Sequence, residues 1–400
     1  MKQAATNPDI ASIKLKYRSL REDHPLGLLE DACLPLRTPR YATCRACEIV
    51  CPVKAIHIGE TALQLDESCV RCGRCAAACP MGALALPGFS VPDVPQERTS
   101  PLSVDCWKVP EKRSPEGSVR VPCLGGLSTG RILELVTMAG AHSLELLDRG
   151  WCLKCKAGSS LDHPVHASLE QAKSLLDAAG LATGRLPMLR SVHLSDDLMP
   201  IDIPEPVTET RMSRRAFFSA LTSKTVATID KVKPLVPELE ARQRRGFEKA
   251  PVSSRERERM LRGMELICKS AGATSPHKLF FRVAISDACN NHQLCASICP
   301  TGALAVFEQG DRTELTFDTR LCIGCNECYS ICSSKALSVL PNGYNVLPDH
   351  PIRLTSFGEN TCPECNQTYT DKTGENLCPQ CQKRHHLANS AFQSLFGSRR

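Results

Sequence analysis

Between residues 98 and 195 the apolar positions change period several times. PLSVDCWKV, SVRVPCLGG and HSLELLDRGW keep their apolar residues in short strand-like spans, whereas LSTGRILELVTMAGA and HASLEQAKSLLDAAGL carry apolar stripes at helical spacing. Strands alternating with helices predict a small parallel α/β domain over 98–195. Downstream, SDDLMPIDIPEPVTET is rich in proline and acids and reads as a linker. SRRAFFSALTSKTVATIDKV reads as a short helix, and ARQRRGFEKAPVSSRERERMLRGMELICKS as a charged stretch ending in a helix that carries Cys268. These segments set a linker and charged helix at 196–260. The tail after Ala388, ending in basic SRR, reads as disordered. Nowhere do 18 apolar residues follow one another, so no membrane-spanning helix is expected. MKQAATNPDIASIKLKYRSL lacks the apolar stretch of a signal peptide.

Composition changes the picture in one respect. Of 400 residues 24 are cysteine, many in C-x2-C spacing, while aromatics make up only 4%. Without an export signal the expected location is cytoplasmic, where thiols stay reduced and structural disulfides are rare. So many cysteines then imply metal. The formal charge of +6 would suggest an acidic partner, but a four-thiolate zinc or oxidised iron–sulfur centre carries about −2. Six such centres would bring the protein to roughly −6 by the same reasoning, so no nucleic-acid partner is expected.

The cysteines fall into four groups, Cys33 to Cys79, Cys106 to Cys155, Cys268 to Cys332 and Cys362 to Cys381. The first and third contain an internal repeat. One copy reads CRACEIVCPVKAIHIGETALQLDESCVRCGRCAAACPMGALAL and the other CNNHQLCASICPTGALAVFEQGDRTELTFDTRLCIGCNECYSICSSKALSVL. Cys69, Cys72, Cys75 and Cys79 followed by Pro80 spell C-x2-C-x2-C-x3-C-P. Three thiolates on a tight loop can cap three irons of a cubane, while the fourth reaches a neighbouring cluster. Zinc sites, by contrast, use two separated pairs.

The region resembles the bacterial two-cluster 2[4Fe-4S] ferredoxin family. The resemblance implies that Cys69, Cys72 and Cys75 hold one [4Fe-4S] cluster with Cys51, and that Cys79 serves another with Cys44 and Cys47. In the leading cysteine slot stands Tyr41, and Cys33 is the upstream candidate to replace it, either as a ligand or as a buried unligated thiol. In the second copy Cys322, Cys325, Cys328 and Cys299 form a complete set. Its sister keeps Cys289, Cys295 and Cys332 but has His292 in the second slot. Either His292 ligates, or Cys268 reaches in, or the site holds three irons or none.

Cys106, Cys123, Cys152 and Cys155 fall at the carboxyl ends of successive predicted strands, the edge where open α/β sheets gather ligands. They predict one further iron–sulfur or zinc centre. VRVPCLGG and the late cysteine pair resemble the iron–sulfur delta subunit of methyl-viologen-reducing hydrogenases. Cys362, Cys365, Cys378 and Cys381 form two Cys-Pro-x-Cys knuckles, an S4 set suited to zinc or to a rubredoxin-like iron. This stretch resembles a zinc ribbon. Arg214-Arg215 reads as the start of a basic helix, since no long apolar run follows to make it an export motif. Neither GLSTG near Gly125 and Gly126 nor any G-x-G-x-x-G supplies a phosphate loop, and no C-x3-C-x2-C triplet is present. No flavin, nucleotide or substrate site can be named.

The expected architecture is α+β and multidomain. A ferredoxin-like dicluster module at 30–95 is followed by the small four-cysteine α/β domain at 98–195. A second dicluster module at 261–350 and a zinc-ribbon-like module at 358–388 complete it. The expected function is single-electron relay through up to four [4Fe-4S] clusters plus Zn2+, with redox proteins as partners and no substrate site of its own. The setting would be an accessory subunit of an oxidoreductase such as a hydrogenase or formate dehydrogenase. The rival is a non-catalytic assembly or maturation factor for a redox enzyme.

Overall fold

A computed structural model of the chain describes residues 17–21, 24–37, 43–59, 61–86, 100–158, 162–199, 250–273, 276–309, 312–341, 348, 350–371 and 376–396. Tyr41, Arg214, Arg215 and the helix expected in SRRAFFSALTSKTVATIDKV lie outside them. In the first region, β1 (Arg18–Arg21) pairs with β2 (His24–Leu28), α1 is Leu34–Arg37 and α2 is Ala46–Ile49. A hairpin of β3 (Ile56–Ile58) and β4 (Leu63–Leu65) follows, then α3 (Arg74–Ala78) and β5 (Leu84–Ala85), which returns antiparallel to β2. Helices of four and five residues are too short to be stable alone. A core of Leu26, Leu28, Ile56, Leu63, Met81 and Leu84 buries around the cysteines and holds them.

Next comes a parallel sheet. Its strands are β6 (Leu102–Cys106), β7 (Val119–Val121), β8 (Leu144–Asp148) and β9 (Met188–Ser191), in the order β7-β6-β8-β9. Helices α4 (Thr129–Ala139) and α5 (His166–Ala178) connect them. Every pairing in this sheet is parallel; β7, β8 and β9 are linked by helices, whereas a loop with one short turn carries the chain from β6 to β7. Leu102, Val104, Leu144 and Leu146 are fully buried under Ile132, Leu133 and Leu135 of α4. Ser128 caps α4 by accepting the Arg131 N–H.

The long helix α6 (Arg255–Ala271) packs on α4. It begins within the span expected to hold the linker and charged helix and runs on past 260 to the expected Cys268. Two glycines allow the close approach: a Cβ on Gly263 would lie 3.0 Å from the Leu133 Cβ, and one on Gly130 would lie 2.7 Å from Glu256 Oε1. Glu256 accepts hydrogen bonds from Gly130 N–H at 2.7 Å and from the Ser128 hydroxyl at 2.8 Å.

The last region pairs β10 (Phe281–Ile285), across α7 (Leu294–Ser297), β11 (Leu304–Gln309), β12 (Arg312–Phe317) and α8 (Glu327–Ile331), with β13 (Leu337–Pro341). Strand β14 (Ile352–Thr361) then adds to β12, and β15 (Thr368–Asp371) to β14, in a sheet ordered β11-β12-β14-β15. β14 thus runs across the gap between 350 and 358 and joins the two segments expected to be separate modules. The chain continues as α9 (Pro379–Phe396). Residues 389–396, in the tail expected to be disordered, extend this helix instead: HHLANSAFQSLF contains neither Gly nor Pro to stop it. Residues 397–400, with the basic end of that tail, lie outside the described residues.

Candidate metal centres

The backbone of the cysteine loops repeats. In the loop from Cys69, Arg71 and Gly73 have positive φ (53° and 75°); in the loop from Cys322, Gly324 and Asn326 do (70° and 60°). Each places the middle cysteine, Cys72 or Cys325, between two left-handed residues, which curls the loop tightly around its centre. The loop from Cys289 has the same turn, with Asn291 at 52° and Gln293 at 59°. His292 therefore occupies the backbone slot of Cys72 and Cys325. A second repeated device follows the last cysteine of each motif: Lys54, Gly82, Gly302 and Lys335 are all left-handed, at 52°, 63°, 70° and 51°. That turn sends the next amide back to sulfur, as Ala55 N–H to Cys51 Sγ and Ala83 N–H to Cys79 Sγ, both at 3.2 Å.

Cys33, Cys44, Cys47 and Cys79 line one small cavity, and Cys51, Cys69, Cys72 and Cys75 line another. Cys33 is fixed at the end of a short turn by its N–H to the Glu30 carbonyl. Burial pushes the thiols up, Cys33 and Cys47 to about 12 and Cys72 to about 11. Metal is held by thiolates, so loading these sets releases protons. The donor set suits iron–sulfur clusters.

In the last region Cys322, Cys325 and Cys328 each lie near enough to Cys299 for its charge to raise their thiols, beneath the larger effect of burial. Cys295 stands in the same relation to Cys289 and Cys332. Cys268 is buried with Met264 and Ile267 on the face of α6 turned into the α/β core, a different cluster from that of Cys295 and Cys332. Spacing i, i+3, i+4 puts Cys268, which the sequence offered beside His292 as an alternative ligand, on the apolar stripe of the helix.

At the carboxyl edge of the parallel sheet Cys106, Cys123, Cys152 and Cys155 line a single cavity with Lys108 and Arg149. Behind it, Asp105 and Arg149 form a buried pair at 2.6 Å, and Asp105 also accepts the Cys106 N–H at 2.9 Å and the Ser114 hydroxyl at 2.8 Å. Burial raises Cys106 to about 11 and Cys152 to about 12. The sequence reading missed two neighbours. Asp148 and His163 group with Cys152, their ligand atoms all within 4.8 Å of one another. A histidine closely following a C-x2-C pair was the available signal.

The thiol groups adjoin one another in order. Cys123 of the sheet edge and Cys72 share a buried cluster with Ala157, and Arg74 donates to the Ala157 and Gly158 carbonyls at 3.4 and 2.9 Å. A Cβ on Gly126 would lie 2.6 Å from the Cys72 carbonyl oxygen, so the two loops touch through backbone. Cys75 is close enough to Cys47 for their charges to interact. Cys325 and Ile323 pack against the core that contains Cys33 and Cys47. The charge of Cys295 reaches Cys328.

Cys362, Cys365, Cys378 and Cys381 come together with sulfur atoms within 4.8 Å, Cys365 and Cys378 at 3.6 Å. Four thiolates about 2.3 Å from one ion stand about 3.8 Å apart at tetrahedral geometry. Backbone N–H from Cys378 to Cys362 Sγ, at 3.4 Å, helps hold the Cys362 thiol below its usual range, favouring the thiolate a metal needs.

These loops and thiol sets define an iron–sulfur protein, and residues 65–85 match the 4Fe-4S binding domain family. Formate hydrogenlyase subunit 2 of Escherichia coli K12 is 45% identical over 56 residues, 14% of this chain and 28% of that protein. The same subunit of Shigella flexneri aligns to the same extent. Ferredoxin 7Fe of Hydrogenibacillus schlegelii is 42% identical over 53 residues, 13% of this chain and 63% of its own length. The chain thus spans well under half of the formate hydrogenlyase subunits it matches. Among the described residues no helix is long and apolar enough to cross a membrane.

Proposed function

We propose that the chain is an electron-transfer subunit of a larger redox complex, relaying single electrons along a row of iron–sulfur centres. The observation that carries this reading is the unbroken order of thiol groups, from Cys106/Cys123/Cys152/Cys155 through the sets of Cys72, Cys33 and Cys325 to that of Cys295. Bound clusters supply one-electron redox chemistry; the residues hold them close in series and set each potential through ligands, N–H···S bonds and burial. In this reading the first and last cysteine regions are duplicated dicluster modules, and Cys33 completes the first. His292, in the slot of a ligand, or three thiolates alone, hold the fourth cluster. The S4 set on α9 and its preceding hairpin binds zinc and serves docking. The names of the relatives, a formate hydrogenlyase subunit and a ferredoxin, favour a redox complex over an assembly factor.

The test is iron, sulfide and zinc content of anaerobically purified protein, with EPR during stepwise reduction. Several interacting reduced clusters and one zinc are expected, and Cys33→Ala should convert or empty one cluster while its sister remains. Zinc throughout, with iron near zero, would end the electron-transfer reading.

A further inference from the structure

We infer that His163 is a positioning residue that tunes the centre at the edge of the parallel sheet by donating a hydrogen bond to the sulfur of Cys152. The inference rests on the proposed electron-transfer role of that centre. The Val165 backbone N–H donates to His163 Nδ1 at 3.4 Å. A neutral imidazole that accepts at Nδ1 carries its proton on Nε2. That Nε2 lies 3.3 Å from Cys152 Sγ, within the range of an N–H···S bond, and 3.9 Å from Asp148 Oδ1. At 3.9 Å that oxygen is beyond hydrogen-bond reach, and it accepts the Gly150 N–H at 2.9 Å instead, so the sulfur takes the proton. The same tautomer argues against His163 as a ligand, because a metal would have to displace the Nε2 proton.

The other sulfurs of this site are supplied differently. Cys106 and Cys155 receive backbone N–H groups, from Lys108 and Ala157, both at 3.4 Å. The donor to Cys152 is a side chain, 12% exposed, which substitution can remove without altering the main chain. A hydrogen bond to thiolate draws charge from the metal–sulfur unit and favours the more negative, reduced state. His163 therefore raises the potential of a centre that adjoins Cys72, biasing electrons toward the sheet edge.

The experiment is a redox titration of anaerobic full-length holoprotein carrying His163→Phe, which has no donor, or His163→Gln, whose amide can donate. The expected result is a lower potential for one centre in His163→Phe, partial return in His163→Gln, full iron content in both and no shift at the other centres. An unchanged potential with iron retained would overturn this inference alone. Loss of that centre's iron in both variants would make the ring a ligand or a structural prop and also overturn it. Zinc at the sheet edge of the unaltered protein would remove both the inference and the relay role of that site, while the remaining clusters would still be present.

Discussion

Asp105 has no solvent exposure, and its carboxylate answers Arg149, Ser114 and the Cys106 amide at once. Removing it leaves the Arg149 guanidinium buried without a counter-charge, which costs about 3–5 kcal/mol. Asp105→Ala should therefore lower the denaturation midpoint of the anaerobic protein sharply, whereas substituting the exposed partners Lys173 and Glu170 should shift it by less than about 0.5 kcal/mol. The same scale shows what spacing can and cannot say about ligands. The upstream cysteines Cys33 and Cys268 looked equivalent in the sequence, one per repeat. Cys33 lines a cavity with three other thiols, while Cys268 is one rung of a helical stripe with Met264 and Ile267. The period of that stripe was legible, but a missing ligand in the next motif made Cys268 an alternative to His292. Asp148 and His163 went unread because their proximity to Cys152 depends on how the loop after β8 folds back.

At the scale of elements, α6 and the residues before it tie the three cysteine regions together. Val252 N–H donates to the Pro300 carbonyl, the Ser254 hydroxyl to Pro80, and Arg255 N–H to Met81. Arg257, buried, donates to the carbonyls of Leu279, Thr319 and Arg320, and burial lowers its guanidinium to about 10. Glu256 holds the start of α4. Glu256→Ala would strand the Gly130 amide and the Ser128 hydroxyl, about 1–3 kcal/mol for each buried group left unpaired. Thermal unfolding should show that loss, and limited proteolysis should cut near residue 250 sooner. The helix itself was foreseen from its pattern. Its role was not: a run such as RERER reads as a solvated face, and only packing reveals that Glu256 and Arg257 point inward. Three strands and both helices of 98–195 were legible because period and turn residues agree there; the edge strand β9 went unread, and the continuity of β14 with β12 depends on a long-range pairing that no local pattern encodes.

For the whole molecule, the fused sheet and the S4 set yield a separable outcome. Truncation after Asn360 removes all four of these cysteines but keeps nearly all of β14 beside β12. One zinc per chain should be lost, with the visible absorbance of the clusters unchanged; iron lost in place of zinc would identify a rubredoxin-like centre. In the proposed relay, Cys72 is the described thiol that meets the sheet edge, packed in one cluster with Cys123.

That contact sharpens at Gly126. Its missing side chain lets the loop after Cys123 rest on the carbonyl of Cys72, and a methyl group would collide with backbone at 2.6 Å. Electron tunnelling weakens steeply with each added ångström, so Gly126→Ala should leave both neighbouring centres filled yet slow the exchange between them. Rapid-freeze kinetics would see one centre reduced while the next lags. A hydrogen atom in place of a side chain would then act as a clock, setting how fast the two halves of the protein share charge.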